Sequence, residues 1–185
     1  MKALKIIGIV LLAIVVIVGV LVVMQPSKGY VEKSIVINAP PSVVYQELNG
    51  FKSFQKWSPW YKMDPGAKYT FEGPETGVGA KMSWDGKEVG KGSQWVEESV
   101  ENQKIRNGLS FEGYEGRAFA DFIIAPEGTG TKLSWTYDGT NDGLGGKAAW
   151  LFMGGMMEGW YNDGLKDIKS YVEALPQVMA TEPMQ

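Results

Sequence analysis

Few side chains in this sequence could carry acid–base or covalent chemistry. The 185 residues include no histidine and no cysteine, so the commonest general base, the commonest metal ligand and the thiol nucleophile are all missing. The remaining candidates are Glu158, Asp121 and the only two arginines, Arg106 and Arg117. A carboxylate in an apolar cavity would have a raised pKa and could act as a base; otherwise these groups face solvent or one another. We assign no catalytic residue and expect neither a metal site nor a cofactor.

A turn rich in tryptophan is the clearest candidate for binding. The stretch "FQKWSPWYKMDP", residues 54–65, places Trp57 and Trp60 on either side of a Ser-Pro pair. Pro59 prevents a continuous helix, and loops are usually polar and lie at the surface. Either both rings plug the core, or the turn forms the lip of an apolar pocket, or each ring takes one of these roles. We predict that Trp57 packs inside and that Trp60 lines the mouth of the pocket.

A stripe of methionine and tryptophan occurs near the C-terminus. Its members recur at helical spacing and are Trp150, Met153, Met156, Met157 and Trp160. Methionine is unbranched and adaptable, so such a stripe suits a surface that accepts varied apolar ligands. Ordinary packing of a helix in the core gives the same pattern, and both interpretations stay open.

Periodicity predicts the elements that hold these residues. A strand over 30–38 is followed by a short helix that begins at Pro40 and Pro41, and then by a second helical turn, "FKSFQKW". Six further strands are predicted in "AKYTFEG", "GAKMSWDG", "KGSQWVEES", "KIRNGLSF", "RAFADFIIA" and "TKLSWTYDG". The links between them are short, which favours an antiparallel meander. We expect "TNDGLGG", residues 140–146, to be a flexible loop, and a helix of about 28 residues to run from Lys147 to just before Pro176.

An uncharged run, Ile6 to Met24, precedes the body of the chain. Its 19 residues can span a hydrocarbon core of about 30 Å at about 1.5 Å per residue. The run is longer than the apolar part of a signal peptide, and no small-residue cleavage site follows, so we favour an uncleaved anchor over a cleaved signal. Lys2 and Lys5 favour a cytoplasmic N-terminus, with the domain outside the cytoplasm. The expected organisation is an anchor over 1–25, a linker over 26–29, a domain over 30–175 and a disordered tail over 176–185.

The charge balance argues against nucleic acid as a partner. Of the 18 basic residues, Lys2 and Lys5 precede the body, which therefore carries 16 basic residues against all 21 acidic ones. An acidic surface offers no electrostatic reason to bind a phosphate backbone. We expect partners of another kind: a hydrophobic small molecule or lipid, and a membrane through the N-terminal helix.

Several motifs resemble one known family. The similarity lies in "INAPPSVVYQELNGF", in "WSPW" with the following "DP", in "GVGAKMSWDG" with "VGKGSQWVEE", and in "EGTGTKLSW". These segments, across Tyr30 to Leu175, resemble bacterial polyketide cyclase/dehydrase-like proteins, the SRPBCC domains of the START and plant-allergen superfamily. The resemblance implies an α+β helix-grip fold, in which a curved antiparallel sheet of about seven strands wraps on a long C-terminal helix. Two short helices follow the first strand, and here one transmembrane helix precedes the domain.

The family binds hydrophobic ligands, transfers lipids or cyclises polyketides, and it has no shared catalytic motif. The resemblance therefore implies a cavity between sheet and helix without a particular chemistry. The residues expected to line this cavity are Trp60, Trp84, Leu109, Phe111, Trp135, Met153, Met157 and Trp160.

Three functions remain open on the sequence. The first is a membrane-anchored domain that binds a hydrophobic small molecule or lipid, where the anchor keeps the protein close to a ligand that partitions into the bilayer. The second is a polyketide cyclase/dehydrase-like enzyme that uses Asp, Glu or Tyr for proton transfer. The third is a structural or interaction module with a filled core and no ligand.

Overall fold

Seven antiparallel strands form one sheet that packs against a long C-terminal helix. The structure is a computed structural model that describes residues 2–176. Its elements, in chain order, are α1 (Lys2–Val23), β1 (Lys28–Ile37), α2 (Pro41–Leu48), α3 (Phe51–Trp57), α4 (Pro59–Met63), β2 (Lys68–Glu72), β3 (Lys81–Asp85), β4 (Lys91–Val100), β5 (Lys104–Phe111), β6 (Ala118–Glu127), β7 (Gly130–Thr140) and α5 (Gly143–Glu173). The strands lie in the order β1-β7-β6-β5-β4-β3-β2. The six strands β2 to β7 therefore form a meander, and β1 is added beside β7.

Alternation along the strands gives the sheet an apolar inner face. In β7, Leu133, Trp135 and Tyr137 are buried, whereas Lys132 and Asp138 are exposed. The long helix α5 packs on this inner face along β1 and β7, and α2 packs against β6 and β7. The predicted α+β helix-grip fold, with a seven-stranded sheet and a long C-terminal helix, is confirmed.

One glycine sets how closely α5 approaches the sheet. A Cβ atom at Gly164 would lie 2.6 Å from the Trp135 ring and 3.2 Å from Pro59. Because no side chain is present there, Trp135 stacks on Tyr161 with ring centroids 4.3 Å apart. In contrast, a Cβ atom at Gly155 would meet nothing within 4 Å. The glycines of α5 thus have different roles, and only Gly164 is required by packing on β7.

A third short helix follows β1, in addition to the two that the sequence predicts. Pro59 lies in the first turn of α4, and the Tyr61 N–H donates a hydrogen bond to the Ser58 Oγ at 3.4 Å. Proline is tolerated at this position because its missing N–H would have no partner within the helix. The residue that interrupts the preceding helix therefore also starts α4.

The start of α5 differs from the prediction. The sequence predicts a flexible loop over 140–146, but α5 begins at Gly143, so this prediction is wrong for residues 143–146. A Cβ atom at Gly146 would lie 2.9 Å from the Asn141 backbone, which shows that the helix starts directly against the end of β7. The glycines that suggested flexibility permit this close approach. The predicted disordered tail, 176–185, lies outside the described residues except for Pro176.

Helix α1 projects from the domain with nearly all of its side chains exposed. Its 22 residues form the one helix in the described chain that is long and apolar enough to cross a membrane, and a signal sequence would have the same properties. Its only buried residue, Val22, is not part of the main core. Lys147 Nζ donates a hydrogen bond to the Val23 carbonyl at 3.2 Å, so α1 meets the domain beside α5.

Two glycine-to-alanine substitutions in α5 should change stability in opposite directions. Gly155→Ala should raise the free energy of unfolding by about 1 kcal/mol, because alanine favours a helix over glycine and its Cβ meets no neighbour. Gly164→Ala should lower it by about 1 kcal/mol or more, because the clash with Trp135 outweighs the same helical gain. Urea unfolding of a chain that lacks residues 1–24 measures both values. Equal stabilisation by the two substitutions would contradict the close contact between α5 and β7.

Candidate functional site

Six aromatic side chains fill the centre of the space between the sheet and α5. This aromatic core consists of Phe54, Trp57, Trp60, Phe122, Trp135 and Tyr161. Trp135 is 2% exposed and lies at the centre, with its ring centroid 5.7 Å from that of Trp57 and 5.5 Å from that of Trp60. The inner side chains of β7 therefore reach the helix here. Any ligand site on the inner face therefore lies outside the aromatic core.

Trp57 and Trp60 occupy different positions in the aromatic core. Trp57 is fully buried, whereas Trp60 is half-buried at its margin. The Trp60 ring stacks on Phe54 at 6.1 Å and meets Tyr161 edge-on at 6.2 Å. This geometry agrees with an inner Trp57 and an outer Trp60, although Trp60 contacts the core more extensively than a residue at a pocket mouth requires.

A second set of aromatic residues extends from α5 to β3. This aromatic row consists of Trp150, Tyr137, Tyr114, Phe111 and Trp84. Trp150 stacks on Tyr137 at 5.9 Å, the Tyr114 hydroxyl donates a hydrogen bond to the Thr140 carbonyl at the end of the same strand as Tyr137, and Tyr114 lies 6.3 Å from Phe111. The row continues from Phe111 to Trp84 at 5.9 Å. All of its members except Tyr137 are only half-buried, so the row is open to a ligand in a way that the aromatic core is not.

Strand pairing explains why Trp84 and Phe111 meet. Both residues lie opposite Gly92, Trp84 on β3 and Phe111 on β5. A Cβ atom at Gly92 would collide with the Trp84 ring, so the central glycine of the three makes room for the contact. Leu109, two residues before Phe111, is half-buried on the same face and pairs with Ala118. Of the residues predicted to line a cavity, the structure thus brings Trp84, Leu109 and Phe111 together.

The aromatic row lies at the end of the sheet where α1 is attached. The first residue of β1, Lys28, pairs with Thr140 at the end of β7. The neighbouring pairs at this end join Gly139 to Ala118 and Ala118 to Leu109. At the same end, Phe111 pairs with Gly92, and Gly92 pairs with Trp84. Candidate binding residues and the candidate anchor are therefore on the same side of the domain.

Two buried amide side chains lie on the inner face beside the row. Asn107 is 3% exposed and is flanked by the inner residues Val96 and Ala120 on the neighbouring strands. Its Oδ1 has no hydrogen-bond partner among residues 2–176. Gln94, which pairs with Leu109, is also buried. A buried acceptor without a partner costs about 1–3 kcal/mol, so Asn107 is a candidate to receive a hydrogen bond from a ligand.

In the part of the chain that the structure describes, three further side-chain polar atoms are buried without partners. Trp57 Nε1 and Trp135 Nε1 belong to the aromatic core, whereas Asn141 Nδ2 lies between the end of β7 and the start of α5. The two indole groups are enclosed by aromatic rings. Of these unpartnered groups, only those of Asn107 and Asn141 lie at the end of the sheet that holds the aromatic row.

The candidate residues on α5 separate into three environments. Met157 is buried in the core, Met153 is exposed, and Trp160 is half-buried. Trp160 lines a shallow surface depression of about 380 Å³ between α4 and α5, which is bordered by the ion pair of Lys62 with Asp167 at 2.6 Å. The methionine–tryptophan stripe is thus not the lining of one cavity.

Three of the four ionisable candidates form ion pairs. Arg106 donates two hydrogen bonds to Asp121, at 2.8 and 2.7 Å, on the outer face of the sheet, and these bonds raise the pKa of Arg106. Glu158 on α5 accepts a hydrogen bond from Lys33 at 2.7 Å, and Arg117 is exposed. These groups therefore face solvent or other charged side chains, as in the second interpretation of the sequence, and do not lie in an apolar cavity. None of them provides an unpaired carboxylate on the inner face.

Tyrosine hydroxyl groups are the main titratable groups near the row. Burial is the chief cause that raises the pKa of Tyr137 far above its usual range, and it does the same for Tyr161 in the aromatic core. Both hydroxyls therefore stay neutral at physiological pH. Within residues 2–176, no three His, Cys, Asp or Glu side chains are grouped so that they could hold a metal ion.

The sequence identifies Trp150 as part of a candidate stripe, but three further members of this site, Tyr137, Tyr114 and Asn107, are not predicted from it. Tyr137 and Trp150 lie in the predicted strand and stripe, but nothing local shows that their rings stack. Asn107 gives a stronger signal, because it has the same parity as the apolar residues Ile105 and Leu109. A polar residue among the inner positions of a strand marks a group that needs a partner. Tyr114 lies in the loop between β5 and β6 and has no such pattern.

Comparisons with known proteins agree with this fold. The family model described as "Polyketide cyclase / dehydrase and lipid transport" matches residues 29–173. A search of curated proteins finds no match. Among solved structures, protein CV1439 from Chromobacterium violaceum is 21% identical, with a TM-score of 0.59 over 78% of this chain and 98% of its own.

Two further solved structures have the same fold at lower identity. Aha1 from Colwellia psychrerythraea, determined as a dimer in solution, is 16% identical with a TM-score of 0.59, and the match covers 78% of this chain and 96% of that one. DynU16, from the dynemicin biosynthetic locus, is 14% identical with a TM-score of 0.55, and the match covers 79% of this chain and 48% of that one. Such identities show a shared fold alone. Because the family model matches nearly the whole domain, the chain belongs to the polyketide cyclase / dehydrase and lipid transport family.

Proposed function

We propose that this chain is a membrane-anchored domain that binds a hydrophobic small molecule or lipid on the inner face of its sheet. The ligand would contact the aromatic row and Leu109. The observation that carries this proposal is the half-exposure of Trp84, Leu109 and Phe111 on the inner face. An inner face is normally covered by the packed helices, so apolar residues left open there can be covered by a ligand.

The energetics favour an apolar ligand with a small polar group. Aromatic side chains bury about 150–250 Å² each when they are fully covered, and apolar burial contributes about 25 cal/mol per Å². Covering the open parts of Trp84 and Phe111 would therefore supply useful affinity. The unpartnered Oδ1 of Asn107 would orient the ligand by accepting one hydrogen bond.

The position of the row supports a ligand that comes from the bilayer. Helix α1 would span the membrane, with Lys2 and Lys5 placing its N-terminus in the cytoplasm and the domain outside it. The row lies at the same end of the sheet as the attachment of α1. A lipid or other apolar molecule would then have a short path from the membrane to the site.

The enzymatic alternative has less support. An acid–base mechanism needs a titratable group within reach of the substrate and a pKa near the working pH. Asp121 is paired on the outer face, and the pKa of Tyr137 is raised far from neutrality. A purely structural module, the third alternative, would gain nothing from the open apolar residues and the unpartnered Asn107.

Replacing Phe111 should weaken ligand binding. A matched replacement on the outer face of the sheet should weaken it much less. Phe111→Ser removes an apolar ring from the site, and the loss of about 1.5–3 kcal/mol corresponds to at least about tenfold weaker binding. Phe119→Ser is the control, because Phe119 is also half-buried on a neighbouring strand but stacks under Arg106 on the outer face. Titration with a fluorescent fatty acid measures both affinities. Equal affinities for the two variants would remove the inner-face site from consideration.

Replacing Asn107 separates stability from binding. Asn107→Leu has a similar volume and removes the buried unpartnered acceptor, so the free energy of unfolding should be unchanged or rise by up to about 1 kcal/mol. Affinity for a fluorescent fatty alcohol, whose hydroxyl can donate a hydrogen bond to the Asn107 Oδ1, should fall, whereas affinity for a probe of equal length without a polar head should not. A stability loss above about 2 kcal/mol would show that Asn107 has a structural role.

A further inference from the structure

The first half of α5 exposes an apolar surface that the rest of the domain leaves uncovered. The exposed fractions are 67% for Leu144, 67% for Phe152, 46% for Met153 and 54% for Met156. No charged residue interrupts the helix from Ala148 to Met157. Large apolar side chains grouped and exposed in this way are uncommon on a soluble domain and usually mark a contact. These four exposed side chains are called the α5 apolar surface below.

The α5 apolar surface lies beside the end of the candidate anchor. Lys147, between Leu144 and Phe152, donates a hydrogen bond to the last residue of α1, Val23, at 3.2 Å. Trp150 packs so closely on Gly29 that a Cβ atom there would lie 2.5 Å from its ring. The helix half that carries the apolar surface is therefore fixed to the segment where the chain would leave the bilayer.

We propose that the α5 apolar surface inserts into the interfacial layer of the same bilayer that α1 spans. This inference rests on the proposed function in one respect, because it takes α1 as a membrane anchor. Interfacial helices bury an apolar face about 5–10 Å into the boundary between headgroups and acyl chains. Phe152, Met153 and Met156 are the side chains that would form this face. Lys28 and Lys147 flank it at the anchor end and suit the headgroup region, where long basic side chains are favourable.

Insertion of this surface would connect the bilayer with the ligand site. Trp150 belongs to the same half of α5 and forms the first member of the aromatic row by stacking on Tyr137. One end of the row would then lie at the membrane surface. An apolar ligand could pass from the acyl chains to Phe111 and Trp84 with little exposure to water, so the ligand of the proposed site would be a membrane lipid.

The absence of cysteine from the chain allows a direct test by single-site labelling. Phe152→Cys and Met156→Cys would each be labelled with an environment-sensitive NBD fluorophore in the full-length protein in phosphatidylcholine vesicles. Val78→Cys is the matched control, since Val78 is 60% exposed and precedes β3 at the end away from α1. Retention of all three proteins in the membrane after carbonate washing verifies the anchor in the same samples.

Insertion predicts a clear pattern of quenching. Labels at 152 and 156 should show blue-shifted emission and strong quenching by lipids that carry a nitroxide near the headgroup, whereas the label at 78 should show neither. Water-like emission at all three sites in carbonate-resistant protein would overturn the inference. A blue shift that resists lipid quenching and disappears when the protein is diluted in more lipid would also overturn it, because a second copy of the chain would then cover the surface.

The two proposals fail in distinguishable ways. If lipid does not quench the labels at 152 and 156, the membrane contact of α5 is wrong. A weaker affinity of the Phe111 variant than of the Phe119 variant would still support the inner-face ligand. Conversely, an unaltered affinity in the Phe111 variant would remove the inner-face ligand while leaving the membrane contact of α5 intact.

Discussion

The close contact between Trp135 and Tyr161 determines how the domain is arranged. Gly164 allows α5 to approach β7 until the two rings stack at 4.3 Å, and Trp57 and Phe122 pack around the pair. This contact fills the centre of the inner face. The fold therefore cannot hold a ligand midway along α5, and the open apolar residues of β3 and β5 are left at the end of the sheet near α1.

In the proposed function, the position of the aromatic row at this end of the sheet gives the anchor a physical role. A hydrophobic ligand is concentrated in the bilayer, and a domain held at its surface avoids the cost of carrying the ligand through water. The row of partly open rings, the unpartnered Asn107 and the exposed half of α5 all lie on this side or beside it. At the opposite end of the sheet lie α2 and α3, which bury Val44, Leu48, Phe51, Phe54 and Trp57 in the core.

Much of the fold follows from local patterns in the sequence. Period-two alternation predicts β7 through Leu133, Trp135 and Tyr137, and the apolar run predicts α1. The site is less predictable, because its contacts join distant residues. Gly164 contacts Trp135, which lies on another element. The sequence alone therefore could not distinguish the packing role of Gly164 from that of Gly155. The pairing of Trp84 and Phe111 across Gly92 likewise depends on strand register. Asn107 could have been found, since its position among inner apolar residues is visible in the sequence.

The most direct measurement is site-mapped photo-cross-linking of a diazirine-bearing fatty acid to the full-length protein in membranes. If the aromatic row holds an apolar ligand, peptide mass spectrometry should find adducts on β3 and β5, at or beside Trp84, Leu109 and Phe111. An excess of unmodified fatty acid should compete with this labelling. Adducts confined to α1 and the outer face of the sheet, with no competition, would contradict the account.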